Sequence, residues 1–314
     1  MLLHMQVTGI HHITSISSDA GKTLQFYSEI LGLRLVKKSV NQDDVSTYHL
    51  FFGNTVGSPG IDLTFFPFQP VRNGVQGIGS VTTIQFAIPQ GSISFWKKRF
   101  ETLKVEHSEE YTKFGFPRLP FQDFDGQQFE LVEVPATELG LHDLVWETEQ
   151  INGKVAIHHF FGAELSIPAI ETIAPVLSLF GYTKVETENH QNQLYMCEHG
   201  VANYLELQLD RSQPMAYSGA GSVHHIAFGV EDEAELVTFQ RALQEIGLRP
   251  TQVVERYYFQ SVYFLTEAGI LFELATHQPG FTVDESADTL GNDLKLPPFL
   301  EAQREAIIRG LPKL

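Results

Sequence analysis

The stretch GIHHITSISSD, residues 9–19, and the stretch SVHHIAFGVED, residues 222–232, carry the same pattern near the two ends of a 314-residue chain. Each has paired histidines in an alternating, strand-like run, followed by an aspartate that can cap a helix. A histidine, an aspartate and a phenylalanine recur at the same spacing in both: His12, Asp19 and Phe26, then His225, Asp232 and Phe239. The shared spacing predicts a repeated strand, turn and amphipathic helix.

Strand-rich stretches follow both helices, and weaker copies of the pattern begin at VTTIQFAI, residues 81–88, and HHFFGAELSI, residues 158–167. The sequence therefore predicts an α+β protein with four βαβββ modules forming curved mixed sheets in two domains. We place the N-terminal domain at 1–136 and the C-terminal domain at 154–277, with two modules in each, and a C-terminal arm at 278–314.

Composition excludes several classes of partner. The chain has 21 Lys and Arg against 38 Asp and Glu, a formal net charge of −17, which repels nucleic acid and anionic membrane surfaces. Its single cysteine, Cys197, cannot form an internal disulfide, and we identify neither a signal peptide nor a membrane-spanning run. These features predict a cytoplasmic protein without nucleic-acid or membrane partners, and they leave the oligomeric state open.

Three residues of the two strong copies form a candidate metal site. His12 and His225 occupy corresponding positions on first strands, and Glu273 lies on the last strand of the fourth module, in the apolar run GILFELAT. Two histidines and one carboxylate on one face of a metal, with open positions opposite, are typical of non-haem Fe(II) oxygenases, and Mn(II) or another divalent metal suits the same donors. The alternative is that the histidines are hydrogen-bonded residues of the core.

Strand alternation assigns the remaining histidines and the weaker copies. If His12 and His225 face a cavity, His11 and His224 should point to the opposite face of the sheet. The second module has Thr83 where a ligand would stand, and the repeat register of the third module puts Phe161 there. One metal site per chain is therefore predicted.

The sequence resembles the vicinal oxygen chelate superfamily, which includes glyoxalases, bleomycin resistance proteins and extradiol dioxygenases. Its resemblance to the ring-cleaving dioxygenase branch, with the hydroquinone-specific MhqO-type proteins, lies in HHIT...D...FYSEILGLRLVKK, LRLVKKSVNQDDVSTYHLFFGNTVGSPGIDLTFFPF and YFLTEAGILFELAT. The resemblance implies glyoxalase-like modules and Fe(II) bound by His12, His225 and Glu273. It also implies a role near the metal for Tyr263, although the branch's proline is replaced by Glu267 and its upstream histidine has no match in VVERYYFQSV.

The resulting expectation is an Fe(II)-dependent, extradiol-type dioxygenase that acts on a small hydroquinone- or catechol-like substrate with dioxygen. Tyr263 is the candidate for hydrogen bonding to the oxygenated substrate, and His49 is the candidate base, each against the alternative of a packed core residue. Two other functions remain open. A glyoxalase-type lyase or isomerase would work without oxygen, and a non-catalytic binder of small aromatics would not need Glu273.

Overall fold

The computed structural model describes residues 5–140, 142–209 and 211–314. Its strands are β1 (Ile10–Ser17), β2 (Arg34–Val40), β3 (Tyr48–Gly53), β4 (Asp62–Pro67), β5 (Ser80–Pro89), β6 (Tyr111–Lys113), β7 (Phe116–Gln122), β8 (Gln128–Val134), β9 (His159–Ile167), β10 (Tyr182–Glu188), β11 (Asn192–Cys197), β12 (Tyr204–Leu209), β13 (Ser222–Val230), β14 (Val254–Glu255), β15 (Gln260–Leu265) and β16 (Leu271–Thr276).

One helix follows the first strand of each unit. The helices are α1 (Ala20–Leu24, continued as a π-helix over Gln25–Ile30), α2 (Ile93–Leu103), α3 (Ala174–Leu179) and α4 (Glu233–Glu245), and α5 (Arg304–Gly310) lies in the arm. The capping predicted for the two strong copies is confirmed, since Asp19 accepts from the Lys22 amide and Asp232 from the Glu235 amide. Within the described residues, no helix combines the length and apolar character needed to cross a bilayer.

The four predicted βαβββ units are confirmed, and they pair into two curved, mixed, eight-stranded sheets. Units one and four form the outer-unit sheet, in the order β14-β15-β16-β13-β1-β4-β3-β2. Units two and three form the inner-unit sheet, in the order β10-β11-β12-β9-β5-β8-β7-β6. Each sheet thus takes one unit from each half of the chain, and the proposed domain boundaries stay a prediction.

A local pseudo-twofold axis relates the central strands of the outer-unit sheet. β1 and β13 are antiparallel, with Ile13 opposite Ile226, His12 opposite Ala227 and Thr14 opposite His225. The pairing skips one residue in each strand, between Ile10 and His12 in β1 and between Val223 and His225 in β13. Each gap is a β-bulge, which locally re-aims the side chains around it.

The apolar core lies between the helices and the sheets and continues through both halves of the chain. Concave surfaces are thereby left free for polar side chains. The arm packs against β2, where Ile307 and Leu300 join Val40 in a separate apolar cluster. Lys37 of β2 is fully buried and forms ion pairs with Asp284 and Glu285 of the arm. These contacts tie the arm to the wall of the outer-unit sheet.

Candidate metal site

The structure brings the three predicted metal ligands together on the outer-unit sheet. His12 Nε2 lies 3.2 Å from His225 Nε2 and 3.2 Å from Glu273 Oε2, and His225 Nε2 lies 2.9 Å from that same oxygen. Donors at adjacent corners of an octahedron are about 3.0 Å apart when each bond is about 2.1 Å, whereas a tetrahedron of the same bonds spaces them about 3.4 Å apart. The three atoms are therefore close enough together to bind one metal ion.

Glu273 is a buried carboxylate whose surroundings favour a bound cation. Its side chain is 0% exposed, and Oε1 accepts a 2.5 Å hydrogen bond from Ser261 Oγ. Oε2 points to the histidines, and both Nε2 atoms lie within 3.2 Å of it. Burial alone would raise the pKa of Glu273, but His12 and His225 overcome this effect and hold the pKa well below its usual range. A divalent metal fits this donor set, because it would balance the buried negative charge of Glu273 and bind the lone pairs of all three atoms.

The β-bulges explain why histidines occur in pairs. His11 Nδ1 lies 3.0 Å from His12 Nδ1, and His224 Nδ1 lies 2.8 Å from His225 Nδ1. If the inner histidine donates its Nδ1 proton to its neighbour, the Nε2 lone pair is left free for a metal. The prediction that the neighbours point away from the cavity is wrong for His224, which lines the same cavity as His225 because the bulge breaks strict alternation.

His49 lies on β3, beside the triad. Its Nε2 is 2.9 Å from Thr64 Oγ1, and its ring packs against Phe51 and Phe66 at centroid distances of 3.8 and 4.4 Å. Burial, followed by the nearby His12 and His225, lowers its pKa well below the usual value. His49 is therefore neutral near pH 7 and faces the cavity, although part of its surface serves packing.

Tyr263 also lines the cavity, directly across the strand pair from Glu273. Its ring centroid is 5.9 Å from that of His225, and its hydroxyl accepts a 3.1 Å hydrogen bond from Arg256 Nε. Arg256 also pairs with Asp43 at 3.1 Å. Burial raises the pKa of Tyr263, so its hydroxyl stays protonated near pH 7.

Sequence reasoning did not find the partners of these residues. It did not identify Arg256, Ser261 or Asp43 as hydrogen-bonding partners within the site. Ser261 lies two residues before Tyr263 on β15, so the alternation of that strand places both side chains on the face of Glu273. That alternation was the signal that could have identified Ser261.

The cavity in front of the triad has a volume of about 300 Å³. Its walls combine aromatic side chains with polar ones from the turn after β2, and the residues that line it include Phe51, Phe66, Tyr258, Phe259, Asn41 and Gln42. A cavity of this volume, with the three donor atoms at one end, suits a single substituted ring.

The residue predicted at the ligand position of the third unit, Phe161, needs correction. The residue of β9 that corresponds to His225 is Gly162, since Gln85 lies opposite Gly162 as Thr14 lies opposite His225. Phe161 is instead the bulged residue that corresponds to His224. His158 and His159 bond to main-chain carbonyl oxygens and are not part of the triad.

The chain matches known proteins both in sequence and in structure. A sequence model of the Glyoxalase/Bleomycin resistance protein/Dioxygenase superfamily matches residues 9–131. MhqA of Bacillus subtilis, described provisionally as a ring-cleaving dioxygenase, is 40% identical over 96% of this chain and 98% of its own. The chlorohydroquinone/hydroquinone 1,2-dioxygenase of Sphingobium indicum is 31% identical over 99% of this chain and 98% of its own.

Solved structures agree with this relationship. A crystal structure of a B. subtilis protein, provisionally a dioxygenase, has a TM-score of 0.93 and 37% identity, and covers 98% of both chains. Glyoxalase I from Zea mays has a TM-score of 0.62 at 16% identity, over 86% of this chain and 92% of its own. The second likeness concerns the fold alone.

Proposed function

Since the chain belongs to the glyoxalase/bleomycin resistance/dioxygenase superfamily, among its ring-cleaving dioxygenases, we propose that it is an Fe(II)-dependent, extradiol-type dioxygenase. Its substrates are a hydroquinone- or catechol-like ring and dioxygen. The proposal rests on one observation above the others: His12, His225 and Glu273 present three donor atoms within 3.2 Å of one another at the end of a cavity the size of one ring.

Iron is proposed because two imidazoles and one carboxylate leave three coordination positions open on the cavity side. The chemistry that Fe(II) supplies when bound is to bring the phenolic oxygen and dioxygen together and to pass charge between them. Mn(II) is the alternative metal for these donors. A reducing cytoplasm, the compartment expected from the single cysteine, would keep iron ferrous.

Tyr263 is proposed to donate its hydroxyl proton in a hydrogen bond to the oxygenated substrate. Arg256 supports this role because its Nε–H already occupies one lone pair of the hydroxyl oxygen, which leaves the O–H free to point into the cavity. Arg256 is in turn held by Asp43 at the rim. The pair thus fixes the orientation of Tyr263 before substrate binds.

His49 is proposed to accept the proton of the phenolic hydroxyl. It is neutral, it faces the cavity, and its Nε2 shares a hydrogen-bonded chain with Thr64 and Thr14, whose hydroxyl oxygens are 2.7 Å apart. A neutral imidazole can accept a proton, and the hydroxyl chain can reorient to accommodate the change of charge.

The proposal is tested by anaerobic purification, metal analysis and oxygen uptake on a panel of catechols and hydroquinones. Iron near one equivalent per chain, with oxygen consumed and the ring opened, is the expected result. If the protein loaded with Zn(II) or Ni(II) converts a hemithioacetal in the absence of oxygen, a glyoxalase-type function would replace the proposal. Tight aromatic binding without turnover, unaffected by Glu273→Ala, would replace it with a non-catalytic binder.

A further inference from the structure

A second pocket lies beside the metal triad and is separate from the main cavity. It has a volume of about 180 Å³ and lies between the β3–β4 loop and the start of the arm. Its lining includes apolar groups of Val56, Pro59 and Phe281, together with the ring of His11. We call it the side pocket.

The side pocket and the main cavity share one wall, made by Tyr258 and Phe259. Phe259 packs against both His12 and His11, with ring centroids 5.1 and 5.4 Å away. A small molecule that moves past Phe259 from the side pocket would therefore reach the face of the main cavity that holds the triad.

The two residues of the wall are held differently. Tyr258 donates a 3.0 Å hydrogen bond to Asp284 Oδ2, and the ammonium group of Lys37 lies 5.1 Å from its ring centroid. Phe259 has no polar atom on its side chain and packs within an apolar cluster of the core. Its rotation breaks no hydrogen bond, so the wall opens at Phe259 at a lower energetic cost than at Tyr258.

The side pocket also leads outward. It shares Ser58, Pro59, His277 and Gln278 with a wide surface groove of about 790 Å³. His277 is fixed at this junction by a 2.8 Å contact from Nε2 to Thr8 Oγ1. The side pocket therefore lies between this surface groove and Phe259, and it borders the groove along these four residues.

We propose that the side pocket is the entry path of dioxygen, which crosses the wall at Phe259 to reach the triad. This inference rests on the proposed function. An aromatic ring bound in the main cavity of about 300 Å³ would obstruct the front approach to the metal. Dioxygen is small and apolar, so it can use the narrow, largely apolar side route while the ring stays in place.

The experiment narrows the side pocket from its outer edge, away from the triad. Thr282 and Gln278 are exposed and line the pocket. Thr282→Trp and Gln278→Trp place a bulky ring there, and Thr282→Ser and Gln278→Asn are the matched controls. In the iron-loaded full chain, each Trp variant should lower kcat/KM for dioxygen about tenfold, with the anaerobic Kd of the aromatic substrate and the iron content unchanged.

A second readout does not depend on turnover. Xenon, an apolar gas probe, should occupy the side pocket of the parent under pressure, as seen by ¹²⁹Xe NMR or crystallography, and should be displaced in both Trp variants. Phe259→Leu, compared at equal iron content, should raise kcat/KM for dioxygen by opening the wall.

Three results would overturn the inference. They are a side pocket that takes up no xenon, Trp variants whose kcat/KM for dioxygen stays at the parent value, and a Phe259→Leu variant with slower dioxygen entry. An iron-loaded parent that consumes no dioxygen with any aromatic substrate would overturn the proposed function and, with it, this inference. The three results above would overturn the inference alone, since in each of them the parent still consumes dioxygen.

Discussion

The outer-unit and inner-unit sheets share one backbone pattern and differ in the side chains on it. In the inner-unit sheet, Ile84 lies opposite Ala163 as Ile13 lies opposite Ile226, and the pairing again skips one residue on each side. The bulged residues are Thr82 and Phe161, where the outer-unit sheet has His11 and His224. The positions of the two histidine ligands hold Thr83 and Gly162.

In contrast to the histidines, the carboxylates at corresponding positions are more numerous in the inner-unit sheet. Glu206 corresponds to Glu273, and Glu130 stands where the outer-unit sheet has Thr64. Arg118, which is 0% exposed, pairs with Glu130 at 2.8 Å and with Glu206 at 2.5 Å. Lys113 pairs with Glu206 at 2.8 Å and with Glu164 at 2.6 Å.

The difference shows two ways to balance buried carboxylates on one scaffold. The inner-unit sheet uses cations of the chain itself, whereas the outer-unit sheet places the histidines His12 and His225 beside Glu273 Oε2. A buried carboxylate without a cation is costly, so the first arrangement is complete within the chain and the second calls for a ligand.

The strongest test of this comparison exchanges the carboxylates for amides. Glu273→Gln should abolish iron binding and ring cleavage, because the charged donor is lost. Glu206→Gln, the corresponding change in the inner-unit sheet, should keep iron bound in the folded protein. Metal analysis and oxygen uptake provide the measurement, and full iron occupancy in Glu273→Gln would contradict the assignment of the ligand.

A hydroxyl group marks the next difference. Tyr263 stands across from Glu273, whereas the residue across from Glu206 is Leu194. Tyr263→Phe should lower kcat and kcat/KM together by about 10²–10⁴ if the hydroxyl takes part in proton transfer. Tyr111→Phe, which removes a hydroxyl 2.5 Å from Glu130, is the control and should leave turnover unchanged. Turnover of Tyr263→Phe within a factor of two of the parent, at full iron loading, would return Tyr263 to a packing role.

The next prediction concerns the stability that the ion pairs of the inner-unit sheet provide. Glu206→Gln leaves the guanidinium of Arg118 and the ammonium of Lys113 short of a buried partner, so the free energy of unfolding should fall by about 3–5 kcal/mol. Glu188→Gln, an exposed change on β10, is the control, and it should alter stability by less than about 0.5 kcal/mol. Urea denaturation measures both. Equal stability of the two variants would mean that the ion pairs add little.

The bulged positions offer a subtler comparison. His11→Ala removes the group 3.0 Å from His12 Nδ1, and loss of such a hydrogen bond should weaken metal affinity about 10–100-fold. Thr82→Ala, at the corresponding bulge, should leave affinity unchanged. Competition with a metal chelator measures the difference, and identical affinities would show that His11 does not orient its neighbour.

The smallest expected effect is a difference in pH dependence. In the metal-free protein the pKa of Glu273 lies well below its ordinary 4.5, so its ionisation stabilises the fold above that pH, and this stabilisation is lost as the pH falls. Burial raises the pKa of Glu130 despite Arg118, so its stabilising effect is present below pH 4.5 and is lost as the pH rises through the folded pKa.

Glu273→Gln should therefore weaken the acid-side loss of stability, and Glu130→Gln should weaken the loss on the alkaline side of pH 4.5. A tenfold difference between the acid dissociation constants of the folded and unfolded chains corresponds to about 1.4 kcal/mol of stability. Urea denaturation from about pH 2 to about pH 7 measures both slopes, because the loss that depends on Glu273 lies below its ordinary pKa. Changes of slope with the same sign in both variants would contradict the comparison.

The repeat could be predicted from sequence because its signals are local. Capping aspartates at the same distance from a strand histidine define a strand, turn and helix, and the structure confirms these elements in both strong copies. No local pattern encodes the pairing of unit one with unit four, and the prediction that these units meet came from the candidate metal ligands that they share. The three candidate ligands were nevertheless predictable, because their positions followed from the repeat itself.

The bulges could not be predicted in this way. Alternation assumes an unbroken ladder, so it sent His224 away from the main cavity and misplaced Phe161 by one residue. A bulge inserts one residue against the partner strand and leaves only a weak trace in sequence. The hydrogen bond from Arg256 to Tyr263 was equally hidden, since it joins an irregular turn to a strand.

The distance along the chain between His12 and His225 has a consequence for biosynthesis. The two residues are 213 positions apart, and Glu273 lies on β16, the last strand in chain order. Units two and three are complete before the ribosome has made β13, while β1 still lacks its central partner. Domains fold from the N-terminus during synthesis, so the nascent chain can close its own ion-pair cluster long before it has three ligands to offer. Under the proposed function, iron capture would therefore report a finished polypeptide, and a product truncated before β16 would lack one of the three proposed ligands.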